Sequence, residues 1–163
     1  MEKKYELTDE TTEVDGKTLH RIRALRDFGG IKANDLGGLI EHEGNLSHEG
    51  NCWIWYKACV FGDARIYGKA EVFDEPCIYG HAEVYGDAYI CGEPSVFDNA
   101  EVYGNAQVYG EAYIYDRARV YGNAQVYGDA HVYGHAKIYG DACVCWDDWI
   151  DGDKRISTGE KTR

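Results

Sequence analysis

The chain has 163 residues, a net charge of −12, and 20 glycines against 2 prolines. This length suits one domain, and the bias points to internal repetition. The acidic balance argues against nucleic acid as a direct partner, because phosphate contacts need Lys and Arg. No window approaches the run of about 18 apolar residues that a membrane span needs.

The opening Met1-Glu2-Lys3-Lys4-Tyr5-Glu6 lacks the apolar stretch of a signal peptide. Residues 4–28 alternate polar and apolar around Asp15-Gly16, with Tyr5-Glu6-Leu7 on one side and Leu19 to Leu25 on the other. Asp-Gly between such runs predicts a β-hairpin. Residues 29–50 are glycine-rich and predict an irregular segment that covers the first coil of a repeat region beginning near residue 51. Residues 1–50 would then form a hairpin and cap.

From Ile54 to Val144 every sixth residue is Ile or Val, sixteen in succession without an insertion. Two residues before each stands a small residue, Cys52 and then Ala, with Pro76 and Pro94 as exceptions. After each aliphatic comes a residue that is usually aromatic, then Gly or Asp, then a polar residue. Small-x-aliphatic has period two and places both side chains on one side of a short strand. Gly followed by Asn or Asp is turn chemistry. Each hexapeptide therefore predicts one strand and one bend, and three of them close an 18-residue triangular coil. The prediction is an all-β solenoid over residues 51–145, with five complete coils stacked at about 4.8 Å.

Beyond it the small residue gives way to Asp148 and Lys154, while Ile150 and Ile156 keep the aliphatic phase. Trp146 and Trp149 are expected to cover the last coil, and residues 157–163 to be a loose tail. The 6 cysteines, at positions 52, 59, 77, 91, 143 and 145, lack zinc-like CxxC pairs. Reduced thiols in a cytosol are expected.

Residues 18 apart stack, so the outward columns can be read directly. One corner reads Lys57, Glu75, Glu93, Glu111, Asp129, Asp147, an acidic edge of five successive carboxylates presented to a basic partner or to cations. A ladder of Tyr67, Tyr85, Tyr103, Tyr121 and Tyr139 follows one aliphatic column and is a candidate oligomer or binding face. The column before it reads Arg65, Glu83, Glu101, Arg119, Lys137 and is taken as structural cross-strand pairing. His81, His131 and His135 raise a zinc reading. His81 and His135 fall three coils apart, about 14 Å at strand spacing. No metal, cofactor or catalytic residue is therefore expected.

The repeat resembles the hexapeptide-repeat, left-handed β-helix superfamily, whose motif is aliphatic-x-x-x-small-x. The V-Y-G-[ND]-A units are similar to those of phage and Firmicute proteins of hexapeptide-repeat, transferase-like or polymer-forming type. The leader around Gly30–Glu41 and Asn45–Trp53 is similar to theirs as well. The resemblance implies the left-handed sense of the coil and a homo-oligomer, trimer or dimer. The unbroken register from 54 to 144, which leaves no loop to build a pocket, gives the first functional expectation, a non-enzymatic structural or protein-binding module. The resemblance suggests one form of it, an acidic phage product that blocks a basic host defence protein. Two alternatives stand beside it. One is an acyltransferase-like enzyme with a site between subunits, although acyltransferases of this fold usually carry a loop that the unbroken register here leaves no room for. The other is a small-molecule binder using clefts between subunits. A protein partner is expected, and neither nucleic acid nor a membrane.

Overall fold

The computed structural model describes residues 2–158 together with 160 and 161. Residues 159, 162 and 163, part of the expected tail, lie outside that description. The chain forms a three-sided parallel β-solenoid. From Trp53 to Ile156 it is a succession of two-residue strands, each ending on an inward aliphatic and each pairing in register with strands 18 residues before and after. The first face carries Cys59–Val60, Cys77–Ile78, Ser95–Val96, Tyr113–Ile114, His131–Val132 and Trp149–Ile150. The second face runs from Arg65–Ile66 to Arg155–Ile156, and the third from Trp53–Ile54 to Glu160–Lys161.

Why these hexapeptides bend is visible in one unit. Gly62 has φ +66°, and Ala64 N–H donates to the Phe61 carbonyl at 3.4 Å. Positive φ at the first central position is the type II′ turn, for which glycine is suited. The Asp63 N–H then turns outward along the stack and donates to Gly80 O at 2.8 Å. The same bond recurs at all three corners, so the corner backbone is paired as fully as the strands. Of the sixteen inward aliphatics, none is more than 1% exposed. Each buried Val or Ile contributes about 1.5–3 kcal/mol through removal of apolar surface from water.

The stack has about seven turns, not five. Both extra turns use residues outside the strict hexapeptide run. At the N-terminal end, strand β3 (Leu36–Ile40) pairs in parallel with Cys59–Val60, and Leu46 forms a bridge with Ile66. The segment expected to be irregular is thus the first turn, with eight residues instead of six between Leu46 and Ile54. Gly37 belongs there because a Cβ would stand 2.7 Å from the Ile22 side chain, from Ile54 O and from the Trp53 ring. At the other end, Trp149–Ile150 and Arg155–Ile156 continue their faces. Glu160–Lys161 pairs with Cys143–Val144, so these two residues of the expected tail form a strand.

The hairpin forms as predicted, from β1 (Tyr5–Val14) and β2 (Lys17–Ala24), with Asp15 at φ 51° and Gly16 at φ 76°. β2 pairs antiparallel with β3, so the hairpin extends the first face and protects its edge. The open end of the prism is filled by Trp53, fully buried, with Phe28 at 5.3 Å and Tyr5 at 6.4 Å. Trp146 and Trp149 do not cover the other end: they are 65% and 57% exposed. Trp146 occupies the left-handed bend position and Trp149 an outward strand position, while the inward phase belongs to Ile150. Among the described residues no helix is long and apolar enough to cross a membrane.

Candidate functional site

The acidic edge is assembled by the corner bonds. Glu75, Glu93 and Glu111 donate their N–H groups to Gly92, Gly110 and Gly128 at 2.8–3.0 Å, and Asp129 to Trp146 at 2.6 Å. Those four residues and Asp147 are all exposed. At its upper end the edge is met by the chain's own cations. Arg21 and Lys57 line an open cleft of about 740 Å³ together with Asp74, Glu75 and Glu93. The N-terminal hairpin thus brings Arg21, ion-paired with Glu10 at 3.0 Å, to the rim of the edge, which the column alone did not reveal.

The tyrosine ladder is a continuous stack. Tyr67, Tyr85, Tyr103, Tyr121 and Tyr139 lie 4.7–5.2 Å apart, centroid to centroid, with planes within 8° of parallel. All five are partly buried. Tyr67 donates to Glu83 at 2.9 Å and Tyr85 to Glu101 at 3.0 Å. These bonds offset the repulsion between Glu83 and Glu101, which are direct cross-strand neighbours. Burial, then the bond to Glu83, pushes the Tyr67 hydroxyl up to about 12. In the neighbouring column Arg119 approaches Glu101 at 3.9 Å. Arg65 instead lies over the Tyr67 ring at 5.3 Å.

The three histidines of the zinc reading have separate environments. His81 Nδ1 is 3.6 Å from Asp63. His131 is held on the first face between Tyr113 at 4.8 Å and Trp149 at 3.8 Å, all three rings parallel within 6°. Burial between these rings lowers its pKa, against the smaller raising effect of Asp129. Its Nδ1 is enclosed without a hydrogen-bond partner among the described residues. His135, four residues on, lies exposed at the next corner. In the cap, His48 stacks on Tyr5 at 4.1 Å, accepts from Lys4 N–H at 3.1 Å through Nδ1 and bonds Glu43 at 2.7 Å through Nε2. Both nitrogens are committed, so His48 is a strut of the cap. Among the described residues no three His, Cys, Asp or Glu side chains are gathered to hold a metal ion.

Two further features stand out, one within a single column and one that joins two. Cys59 and Cys77 are register partners on adjacent strands. Their mutual hydrogen bond pulls the Cys77 thiol down to about 7 and pushes Cys59 up. The second feature is a basic cleft of about 620 Å³ lined by Arg117, Arg119, His135, Lys137, Asp153 and Arg155. The signal for it is present in the sequence: no Lys or Arg occurs from residue 70 to 116, and the next three occupy two adjacent columns. Each column by itself looks like ordinary surface.

A family model described as the YdcK β-solenoid repeat matches residues 112–128. An Escherichia coli (strain K12) protein named uncharacterized acetyltransferase YdcK is 42% identical over 55 residues, which is 33% of this chain and 17% of that protein. The repeat, its stacking and these likenesses agree, and the chain is a hexapeptide-repeat β-solenoid. They overturn one expectation. The relative is named an acetyltransferase, and neither likeness points to a phage inhibitor of a basic host protein. The acyltransferase alternative accounts for the likeness better than a non-enzymatic binding module of that kind.

Proposed function

We propose that the protein is an acyltransferase-like hexapeptide solenoid whose site is completed between copies of the chain. The observation that carries this reading is the likeness to a protein named an acetyltransferase. The residue that fits the chemistry is His131. Acyl transfer from a thioester to an amine or hydroxyl needs a base that is uncharged near neutral pH. Burial between Tyr113 and Trp149 favours the neutral imidazole. His131 would take the acceptor's proton as the new N–C or O–C bond forms and the C–S bond breaks, and the leaving thiolate would carry the proton away. The shaft has no loop to enclose such a site, because its register is unbroken from 54 to 144. A second copy would supply the missing wall. Trp149 and Tyr113, 57% and 42% exposed beside His131, offer an apolar seat for it. The six free thiols accord with a cytosolic setting.

The test is incubation of the purified protein with acetyl-coenzyme A and a panel of amines and hydroxyl compounds, following free thiol and acetylated product by chromatography. Acceptor-dependent product is expected, with His131→Gln reducing kcat by about 10²–10⁴-fold and His81→Gln leaving it unchanged. Light scattering should show an oligomer. Folded protein that releases no thiol with any acceptor refutes the reading.

A further inference from the structure

We infer that the corner between the first and second faces, near the C-terminal end, is a binding site for a diphosphate group. The argument starts from register. Arg119, Lys137 and Arg155 are direct neighbours on three successive parallel strands. Like charges stacked at about 4.8 Å oppose the pairing of their strands. A column serving stability would alternate sign, as Glu101 and Arg119 do higher on the same face. Below Arg119 no carboxylate is interposed.

The adjacent corner column adds Arg117 and His135 to the same cleft, with Asp153 as its sole acidic lining residue. Among the described residues, Arg117, Lys137 and Arg155 make no ion pair, whereas Arg119 has Glu101 at 3.9 Å. The cleft therefore concentrates cations on a chain whose net charge is −12. Such a chain repels anions at long range, so an anion held here must be recognised locally and through more than one contact.

The size of the cation array selects the ligand class. Arg119 to Arg155 spans two strand spacings, about 10 Å, more than one phosphate group can cover. A second phosphate lets both ends of the column be used, and the Arg guanidinium forks suit paired phosphate oxygens. Arg117 closes the array from the corner side. The sources that share this chemistry are a free diphosphate and an organic diphosphate such as a nucleotide. The inference rests in part on the acyl-transfer reading, because a coenzyme A thioester is itself an organic diphosphate. The two fail separately, since pyrophosphate can bind without thiol release and thiol can be released without pyrophosphate binding.

Titration calorimetry at low salt tests it with three probes: orthophosphate, pyrophosphate and adenosine diphosphate. Pyrophosphate should bind at least tenfold more tightly than orthophosphate, and raising the salt should weaken it. The double variant Lys137→Gln, Arg155→Gln should lose at least tenfold in pyrophosphate affinity, and Glu93→Gln on the acidic edge should change nothing. Both side-chain positions are exposed or nearly so, and thermal melts of the variants check that the fold is kept. On the wild-type protein, amide shifts induced by pyrophosphate should cluster at residues 117–119, 135–137 and 153–155, which locates the site without any variant. Adenosine diphosphate binding as tightly as pyrophosphate assigns an organic ligand, and pyrophosphate alone a free one. Equal affinity for orthophosphate and pyrophosphate, an undiminished double variant, or shifts elsewhere would overturn the inference.

Discussion

Gly134 offers a sharp test of how the corners are built. It has φ +66°, and a Cβ there would stand 2.7 Å from Gly152 N and 3.1 Å from Gly152 O. Alanine must accept a left-handed backbone, at about 1–2 kcal/mol, and crowd a backbone that is itself tied by the bond from His135 N to Gly152 O at 2.7 Å. Aspartate adds the same Cβ and more bulk, yet the corner already shows what it gains. In the same column Asp98 accepts from Asp116 N at 3.2 Å, and Asp116 accepts from Gly134 N at 3.0 Å. At position 134 the carboxylate would extend this series to the Gly152 N–H. Hydrogen bonds to charged groups contribute about 1.5–3 kcal/mol, enough to offset most of the left-handed cost. We therefore expect Gly134→Ala to lose about 2 kcal/mol, or roughly 4–8 °C in Tm for a chain of this size, and Gly134→Asp to stay within about 1 kcal/mol of wild type. Scanning calorimetry at pH 7 measures both. Below about pH 4 the aspartate variant should lose its advantage as the carboxylate protonates. An alanine variant as stable as wild type, or an aspartate variant worse than alanine at pH 7, refutes the account.

Val102, fully buried in the middle of the stack, should not tolerate Asp: an unpaired charge in the prism prevents folding, and far-UV circular dichroism of Val102→Asp should show loss of the β signal. The Tyr67 hydroxyl sits at about 12 in the folded chain against an ordinary 10. The folded state therefore holds the proton more tightly, its stabilisation is whole below pH 10, and it is lost as pH rises towards 12. Alkaline melts should show that decline, and Tyr67→Phe should reduce it. Cys77, near 7 through its bond from Cys59, should be the fastest thiol to alkylate at neutral pH, and Cys59→Ala should slow it by raising its pKa; an unchanged rate would show that the pair does not communicate. Their in-register strands lie at the roughly 5 Å that a disulfide requires, so a mild peroxide treatment should link them, as peptide mapping would show.

Much of the molecule was legible because a hexapeptide carries its own geometry. The aliphatic at every sixth position can be buried only if the chain turns three times in 18 residues, and Asp15-Gly16 dictates the hairpin. The ends were harder to read because a solenoid turn depends on where the chain returns, not on a local motif. Leu46 and Ile54 are eight residues apart, and the break in period hid the first turn. Trp146 and Trp149 look like a lid by size, but their phase places them outward. The candidate sites divide in the same way. The acidic edge and the tyrosine ladder are single columns and could be read one at a time. The basic cleft and the placing of Arg21 at the rim of the acidic edge each join residues from different columns or different elements, whereas the Tyr113–His131–Trp149 stack is again a single column, its residues 18 apart.

The sequence by itself therefore determined which residues stack and which face inward, since period six and period two leave one way to bury an unbroken series of Ile and Val. Only the tertiary structure decided what lies beside what across the corners and at the ends. Lateral distance between columns, the reach of long cationic side chains, and the seating of the hairpin on the first turn arise from three-dimensional closure of the coil. A one-dimensional repeat specifies its neighbours along the stack and not its neighbours around it.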